Sequence, residues 1–310
     1  MSNAGIVLCV GEPLVVLSPP AGESLDGSAS LSVSVGGAEA NVAIHLARLG
    51  IGVRFAGRVG DDPFGARVHS TLAAEGVDVE ALEIDTERPT GLYAKQPTAN
   101  GTVAHYYRRG SATSAWNEVA ADAFGGVTRV HTTGILASLG PGCMTVVSSL
   151  LGHDVPVSFD VNYRRTLWEG ADAAAALHDL ASRADIVFVG LDEAAELWGC
   201  TAADDVRAIL PDPELVVKDA GHPAIAFADR QRVEVPALPV AVVEPVGAGD
   251  AFAAGYVAAR HAGGDIARAL RTGHAVAAGT LETYDDQGEP ADPRRLAAAV
   301  TGEGWPDAAC

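Results

Sequence analysis

The residues most suited to chemistry form the segment Gly247-Ala248-Gly249-Asp250, which follows an apolar run and opens a helix rich in small residues. Glycines let backbone amides turn towards one point, and a helix start adds about half a unit of positive charge, so this turn is expected to bind an anion. Asp250 would repel that anion unless it takes a proton from an attacking hydroxyl group. The segment therefore indicates phosphoryl transfer, with Asp250 as general base and the Gly247 to Gly249 amides as an anion hole.

Two other interpretations of this turn compete with catalysis. Aspartate commonly caps a helix, and for an isolated Gly-x-Gly-Asp this is the more frequent role. A dinucleotide-binding fingerprint needs a third glycine where Phe252 stands, and the chain has no GxxxxGK[ST] motif. The turn by itself excludes the nucleotide fingerprints and leaves capping and catalysis open.

The elements that must position this turn follow from the hydrophobic pattern. Short β-rich runs alternate with helical patterns through most of the 310 residues, which predicts an α/β fold with a mostly parallel central sheet flanked by helices. The predicted strands are GIVLCVG, VRFAG, VTRVHTTG, VPVSFDV, DIVFVG, ELVVK and the run VAVVEPV before Gly247. The predicted helices cover residues 41–49, 63–75, 141–151 and 250–261.

Two stretches, residues 12–35 and 90–110, interrupt the alternation. The second holds Asn100-Gly101 between segments of period two, a strong hairpin signal because both residues tolerate positive φ. We interpret the two stretches as a small inserted β-sheet, a lid over a site or a dimer surface, because an isolated hairpin is only marginally stable. No repeat of about 20 to 50 residues and no low-complexity linker divides the chain, so one domain over residues 1–310 is expected.

Composition excludes several classes of partner. The formal net charge of −19 argues against nucleic acids and anionic membrane surfaces, which require a basic footprint. No run reaches the roughly 18 apolar residues of a membrane span, and the N-terminus lacks the pattern of a signal peptide. The four cysteines form no CxxC pair, so neither a zinc site nor a disulfide framework is indicated. We expect a cytoplasmic protein.

Longer segments resemble the ribokinase-like (PfkB-type) carbohydrate kinases. PVGAGDAFAAG is similar to their C-terminal signature, and GGAEANVAIHLARLG at residues 36–50 is similar to their N-terminal one. The similarity is closest to the 2-keto-3-deoxygluconate kinases and continues through GEPLVVLSP, GLY, YYRRGSA and DVNYRRTLW. It implies a ribokinase-like body with a β-lid, a sugar held between them, and ATP with Mg²⁺ along the C-terminal half. The two signatures together outweigh capping as the role of Asp250.

The resemblance also implies binding residues by position. The sugar acid would contact Gly36, Gly37, Asn41, Tyr93, Tyr106, Arg108, Ile135, Arg164 and, more weakly, Asp285. ATP would contact Asn162, Lys218, Gly221, Gly247 and Gly249, and Glu193 would act on the metal indirectly. Two segments depart from the family pattern. Gly190 stands where an N-x-x-E motif has asparagine, and Ala220-Gly221-His222-Pro223 replaces a GAKG loop, which leaves the metal-linked water network and the nucleotide loop open.

Arginine placement favours an acidic substrate independently of the family. Arg108 lies on the predicted lid, and Arg164 follows a predicted strand at the end where open α/β sheets bind ligands. A planar guanidinium holds a carboxylate through two parallel hydrogen bonds.

Neighbouring residues have simpler expected roles. Arg109 and Arg165 are predicted to lie on the surface. If Tyr106 faces the site, Tyr107 is expected in the core, and Trp168 is also expected there.

These observations lead to one expected function and leave others open. We expect Mg²⁺-dependent transfer of the terminal phosphoryl group of ATP to the C6 hydroxyl of 2-keto-3-deoxygluconate. A kinase for fructose or keto-deoxygalactonate stays open, as does a sensing protein that keeps the fold without catalysis. The intact Asp250 and glycine turn favour the enzyme, whereas Gly190 keeps the sensing protein open as an alternative. A homo-oligomer formed through the lid is compatible with two-fold symmetry.

Overall fold

A computed structural model describes residues 5–98, 101–168, 172–228 and 230–306. The strands in these ranges are β1 Ile6–Val10, β2 Leu14–Ser18, β3 Ser32–Gly36, β4 Val53–Gly60, β5 Leu82–Asp85, β6 Leu92–Thr98, β7 Gly101–Tyr107, β8 Val127–Thr133, β9 Val157–Asp160, β10 Ile186–Gly190, β11 Glu214–Lys218, β12 Ala224–Ala228 and β13 Gln231–Val235. The helices are α1 Ala38–Arg48, α2 Pro63–Ala74, α3 Gly134–Ser138, α4 Pro141–Leu150, α5 Ala173–Ser182, α6 Leu191–Trp198, α7 Ala203–Ile209, α8 Ala248–His261, α9 Ile266–Leu281 and α10 Pro293–Thr301.

The large sheet has the strand order β13-β12-β11-β10-β9-β8-β1-β4-β5. Neighbouring strands from β11 to β5 run parallel, and β12 and β13 add an antiparallel edge. All five residues of β10 are buried, as expected for a parallel strand with a helix layer on each face. Helices α1, α2, α8 and α9 pack on one face, and α3 to α7 pack on the other. The predicted α/β fold is confirmed.

Helix starts and close packing follow local sequence rules. Asp62 accepts a hydrogen bond from the Gly65 amide at 2.8 Å, and Pro63 occupies the first turn of α2. Helix α8 is built from small residues because it lies against α9. A Cβ atom on Gly255 would come within 2.6 Å of the Thr272 carbonyl oxygen, so only glycine permits this approach.

The second sheet has the order β3-β2-β6-β7, with β2 parallel to β6 and the other two pairs antiparallel. Leu14, Val16 and Tyr93 form its own buried apolar cluster. The small inserted sheet predicted over residues 12–35 and 90–110 is therefore present. Asn100 of the predicted turn lies outside the described residues, and the single domain over residues 1–310 stays a prediction.

Two local predictions were wrong. The run VAVVEPV forms no strand, because Pro245 within it and Pro239 just before it have no N–H to donate and Val242 is 60 % exposed. Its chain is held instead by the Val243 amide, which donates to the Leu281 carbonyl at 2.7 Å.

The prediction for Tyr107 was the second error: it is 65 % exposed, because β7 is an edge strand and Tyr107 lies on the face opposite to Ala104, which packs on the small apolar cluster. Trp168 is buried, and Arg109 and Arg165 are exposed, as predicted. No helix in the described ranges is both long and apolar enough to span a membrane.

Candidate active site

Polar side chains collect at the carboxyl ends of the parallel strands. Glu12 lies just beyond β1, and Thr133, Asp160 and Lys218 end β8, β9 and β11. In an open parallel sheet, ligands bind in the crevice outside these ends. The glycine turn before α8 lies at the same edge, because a Cβ atom on Gly249 would be 3.5 Å from the Lys218 ammonium.

Asp250 lies in the first turn of α8, whose N-cap residue is Gly247 with φ of 84°. A Cβ atom on Gly247 would approach the Asp286 carbonyl oxygen to 2.0 Å, so the turn requires glycine at this point. The Asp250 carboxylate accepts a hydrogen bond from Asn41 Nδ2 at 2.9 Å, and no side chain caps this helix. The structure therefore does not support capping as the role of Asp250.

The electrostatic environment of Asp250 makes it a stronger base than an ordinary aspartate. The pKa of Asp250 is raised to about 6: burial is the main cause, nearby Asp160 acts in the same direction, and the hydrogen bond from Asn41 opposes them. Lys218 and Arg164 act in the opposite direction by stabilising the charged carboxylate. The group is thus ionised at neutral pH and close to the pKa that suits proton abstraction.

Lys218 provides the positive charge beside the glycine turn. Its ammonium donates to Asp160 Oδ2 at 2.6 Å. Burial disfavours this charge, but Asp160 and Glu193 outweigh burial and raise the pKa of Lys218. An anion at the turn would therefore meet a permanent cation.

The other predicted nucleotide residues differ in their surroundings. Asn162 is buried, has a φ of 39°, and donates from its amide to Asp160 Oδ1 at 3.3 Å. Gly221 is exposed, and a Cβ atom there would have no neighbour within 4 Å. Ala220 beside it has a φ of 44°, so the loop that replaces GAKG keeps a left-handed residue without glycine at that position.

Glu193 is held by groups close to Gly190. The Gly190 amide donates to Glu193 Oε2 at 3.0 Å, and Arg164 binds Oε1 at 3.1 Å. Burial raises the pKa of Glu193. Among the residues that the structure describes, no group of three or more His, Cys, Asp or Glu side chains could hold a metal ion. Glu193 is thus the one predicted metal-linked carboxylate at this edge, and it could act on a divalent metal only together with ligands that the protein does not supply.

The predicted sugar residues meet at the junction of the small sheet and the body. Gly36 ends β3, and a Cβ atom there would lie 3.0 Å from Asp286 Oδ2 and 3.2 Å from the Tyr93 hydroxyl. Tyr93 donates to Asp286, which also forms a buried ion pair with Lys95. Gly37, with φ of 112°, is the N-cap of α1.

The acid in this cluster is Asp286, which the sequence did not single out, rather than the predicted Asp285. Asp285 is exposed, and its Oδ1 accepts from the Gln287 amide at 3.2 Å. Burial raises the pKa of Asp286 to about 7. The two adjacent aspartates in YDDQG indicated an acidic residue at this point of the chain. The sequence pattern does not say which of the two side chains is buried.

Both predicted acid-binding arginines already have a carboxylate partner. Arg108 is buried, forms an ion pair with Glu12, and lies 5.4 Å from the centre of the Tyr106 ring. The Arg164 side chain is 49 % exposed while it binds Glu193. A substrate carboxylate would therefore share or displace one of these partners.

Ile135, which was predicted to contact the sugar, lies in the first turn of α3. Its amide donates to Thr133 Oγ1 at 3.0 Å, and that hydroxyl donates to Glu39 Oε1 at 2.7 Å. Burial raises the pKa of Glu39 to about 7, and Asp250 acts in the same direction. Sequence reasoning missed Glu39, although it lies within GGAEAN, because an isolated helical glutamate is normally exposed.

A mostly parallel sheet with a small second sheet, and a glycine turn that carries a basic carboxylate, define a ribokinase-like kinase, a phosphotransferase with an alcohol acceptor. The chain belongs to the PfkB family, because the profile described as "pfkB family carbohydrate kinase" matches residues 6–292. Members of this family bind a sugar, ATP and a divalent metal.

Three relatives share most of their length with this chain. A 2-dehydro-3-deoxygluconokinase of Thermoproteus tenax is 33 % identical over 89 % of this chain and 87 % of its own. A 2-dehydro-3-deoxygalactonokinase of Haloferax volcanii is 29 % identical over 86 % and 88 %. A fructokinase of Klebsiella pneumoniae is 32 % identical over 82 % and 84 %. The chain is similar to kinases of both acidic and neutral sugars.

Solved structures share the fold. The 2-dehydro-3-deoxygluconokinase of Thermotoga maritima superposes with a TM-score of 0.86 at 22 % identity, covering 96 % of this chain and 98 % of that one. An uncharacterised sugar kinase of Pyrococcus horikoshii in complex with ATP gives a TM-score of 0.80 at 23 % identity, covering 92 % and 95 %.

The glycine turn generates a stability prediction. Gly247→Ala should lower the free energy of unfolding by about 1–2 kcal/mol or more, because alanine disfavours a left-handed φ and its methyl group meets a backbone carbonyl. Gly249→Ala is the matched control, since its methyl group meets only the Lys218 ammonium at 3.5 Å. Urea unfolding of both variants measures the difference, and equal stabilities would contradict the turn geometry.

Proposed function

We propose that this protein transfers the γ-phosphoryl group of ATP to the C6 hydroxyl of 2-keto-3-deoxygluconate, with Mg²⁺ as the metal. The observation that carries the proposal is the Asp250 carboxylate, whose pKa burial raises to about 6, in the same turn as the Gly247 to Gly249 amides. The family membership favours this kinase over the sensing protein, since PfkB proteins are phosphotransferases.

In the proposed reaction, Asp250 accepts the proton of the C6 hydroxyl as its oxygen attacks the γ-phosphorus. The bond between that phosphorus and the bridging oxygen of ADP breaks, and ADP leaves with the electron pair. The amides of Gly247 to Gly249 and the Lys218 ammonium stabilise the negative charge on the transferring group. Bound Mg²⁺ would neutralise phosphate charge, with Glu193 acting on it through water. Asn162 and Gly221 are proposed to contact ATP.

Support for a sugar acid comes from the two arginines at the sugar side. Arg164 is the more accessible of them, and its Nη1 contacts the Glu193 carboxylate at 3.1 Å, which leaves the other guanidinium nitrogens for a substrate carboxylate. Gly36, Gly37, Tyr93, Tyr106 and Ile135 are proposed to surround the sugar.

A neutral ketohexose such as fructose is the second candidate substrate. Glu12 and Glu193 already satisfy Arg108 and Arg164, so a neutral sugar leaves no charge without a partner. The C4 epimer, keto-deoxygalactonate, has the same carboxylate and is the third candidate substrate.

A coupled ADP-release assay with the two keto-deoxy acids, fructose, ribose and glucose distinguishes the three candidates. The proposal predicts the highest kcat/KM for 2-keto-3-deoxygluconate, and a higher value for fructose would contradict it.

Asp250→Asn should lower kcat by on the order of 10² to 10⁴-fold, because it removes the base without changing the size of the side chain. Binding of ATP and sugar, measured by calorimetry, should stay close to that of the unmodified protein. Turnover near the original rate would show that Asp250 is not the base.

Arg164→Ala should raise KM for the keto-deoxy acid by about 10- to 100-fold, because the substrate carboxylate loses a charged partner. Arg165→Ala is the matched control: this neighbour is 78 % exposed and binds Glu196. The kcat/KM for any neutral sugar that is turned over should barely change in either variant. Equal losses for acid and neutral sugars would contradict the specificity role and leave the kinase assignment intact.

Closure of the small sheet over the sugar is also proposed, because ATP beside bulk water would be hydrolysed. Sugar binding should then slow amide hydrogen exchange in β6 and β7, while β12 and β13 at the far edge serve as internal control. Val103 and Tyr107 are exposed on β7 and offer a surface for a second copy of the chain. Exchange that is already slow and unchanged by sugar would favour a static dimer element instead.

A further inference from the structure

Gln287 lies in the turn after α9 and reaches the candidate base through one intervening side chain. It is 6 % exposed and contacts both strand β3 and helix α1. Its Nε2 donates to the Val35 carbonyl and to Asn41 Oδ1, the latter at 3.3 Å. Asn41 Nδ2 in turn donates to Asp250 Oδ2 at 2.9 Å. One row of hydrogen bonds therefore joins the Val35 backbone to the carboxylate.

The chemistry of the two amides fixes the direction of this row. An amide side chain has an oxygen that accepts and a nitrogen that donates. The Val35 carbonyl can only accept, so Gln287 must present its nitrogen there. The same nitrogen then requires the oxygen of Asn41, and Asn41 is left with its nitrogen towards Asp250. The opposite orientation would place an amide oxygen against a carboxylate, and both side chains are buried.

Hydrogen bonds from other segments hold the backbone of the turn that carries Gln287. Arg48 Nη1 donates to the carbonyls of Gln287 at 3.0 Å and Gly288 at 2.9 Å. The same guanidinium forms an ion pair with Glu75 at 2.8 Å. On the other side, the Gln287 amide donates to Asp285 Oδ1 at 3.2 Å.

We propose that Gln287 is a positioning residue for the phosphoryl-transfer reaction: it orients the Asn41 amide so that the N–H of Asn41 stabilises ionised Asp250 through Oδ2, and the substrate proton goes to Oδ1. The inference rests on the proposed role of Asp250 as base. It gives Asn41, predicted as a sugar contact, a second task on the base itself.

The hydrogen bonds from Gln287 through Asn41 act on the pKa of Asp250 together with the charged groups around that carboxylate. Glu39 of α1 and Asp160 at the end of β9 disfavour a charged carboxylate, whereas Lys218 at the end of β11 and Arg164 favour it. Burial raises the pKa of Asp250, and the hydrogen bond from Asn41 lowers it. Loss of the correct Asn41 orientation should therefore raise this pKa further.

The test is the pH profile of kcat/KM in Gln287→Met, which keeps the length of the side chain and removes both N–H donors. The base must be ionised, so activity of the unmodified protein should fall as pH decreases through about 6. We call this fall the acidic limb of the profile. In the variant the acidic limb should lie at a pH higher by about one unit, and kcat/KM should recover at high pH. Glu289→Gln, exposed and two residues further along, should leave the limb unchanged.

A second variant tests whether Gln287 acts through Asn41. In an Asn41→Leu background, Gln287→Met should add no further shift, because the intermediate amide is gone. An additional shift in that background, or a lower melting temperature with an unchanged acidic limb, would overturn the proposal and leave Gln287 a structural residue.

The outcome for Asp250→Asn separates this proposal from the proposed function. If that variant retains turnover, the base assignment itself fails. If it is inactive while the limb of Gln287→Met does not move, only the positioning role fails. The profiles are measured with 2-keto-3-deoxygluconate, or with fructose if that sugar gives the higher kcat/KM.

Discussion

The negative charge of Asp250 is the constraint on which the rest of the site depends, because in the proposed reaction the same turn also receives a negatively charged phosphoryl group. Burial disfavours that charge, and Asp160 makes the field around it more negative. Lys218 compensates: its ammonium lies beside Gly249 and binds Asp160. The result is a carboxylate that stays ionised near neutral pH and still binds a proton readily. A more exposed carboxylate would be a weaker base, and one without nearby donors would be protonated before the hydroxyl arrived.

Two buried ion pairs hold the small sheet and its continuation against the body. Lys95 of β6 pairs with Asp286, and Arg108, just after β7, pairs with Glu12. The unfavourable free energy of desolvating such charges is about as large as their favourable attraction. Buried pairs of this kind therefore define geometry more than they add stability. Each acid also accepts a hydroxyl donor, from Tyr93 in one case and from Ser111 in the other. The sugar-side wall is therefore held by directional contacts, which fix the positions that a substrate hydroxyl would meet.

Elements with a strong local pattern could be predicted from the sequence, and contacts between distant segments could not. The helix predicted over 63–75 is α2 at Pro63–Ala74, because a capping aspartate, a proline and an apolar stripe agree. The run before Gly247 misled the prediction, since its β-branched residues suggested a strand, whereas Pro245 and the preceding Pro239 cannot donate to a sheet. The glycine turn was identified, but Asn41, which bonds Asp250, lies 209 residues from it in the chain, and Gln287 lies 246 residues from Asn41. A glutamine in a turn carries no sign of such a contact, because its usual environment is solvent.

Charge balance also limits how an acidic substrate can be selected. The chain has a net charge of −19, so a sugar acid is repelled at long range and gains affinity only from contacts inside the cleft. There the guanidinium of Arg164 already binds Glu193, and exchange of one carboxylate for another gives little net free energy while both are hydrated. The gain becomes large when water is excluded, because the lower dielectric strengthens whichever pair remains. Under the proposed function, discrimination between an acid and a neutral sugar would therefore depend on closure of the small sheet as much as on Arg164 itself.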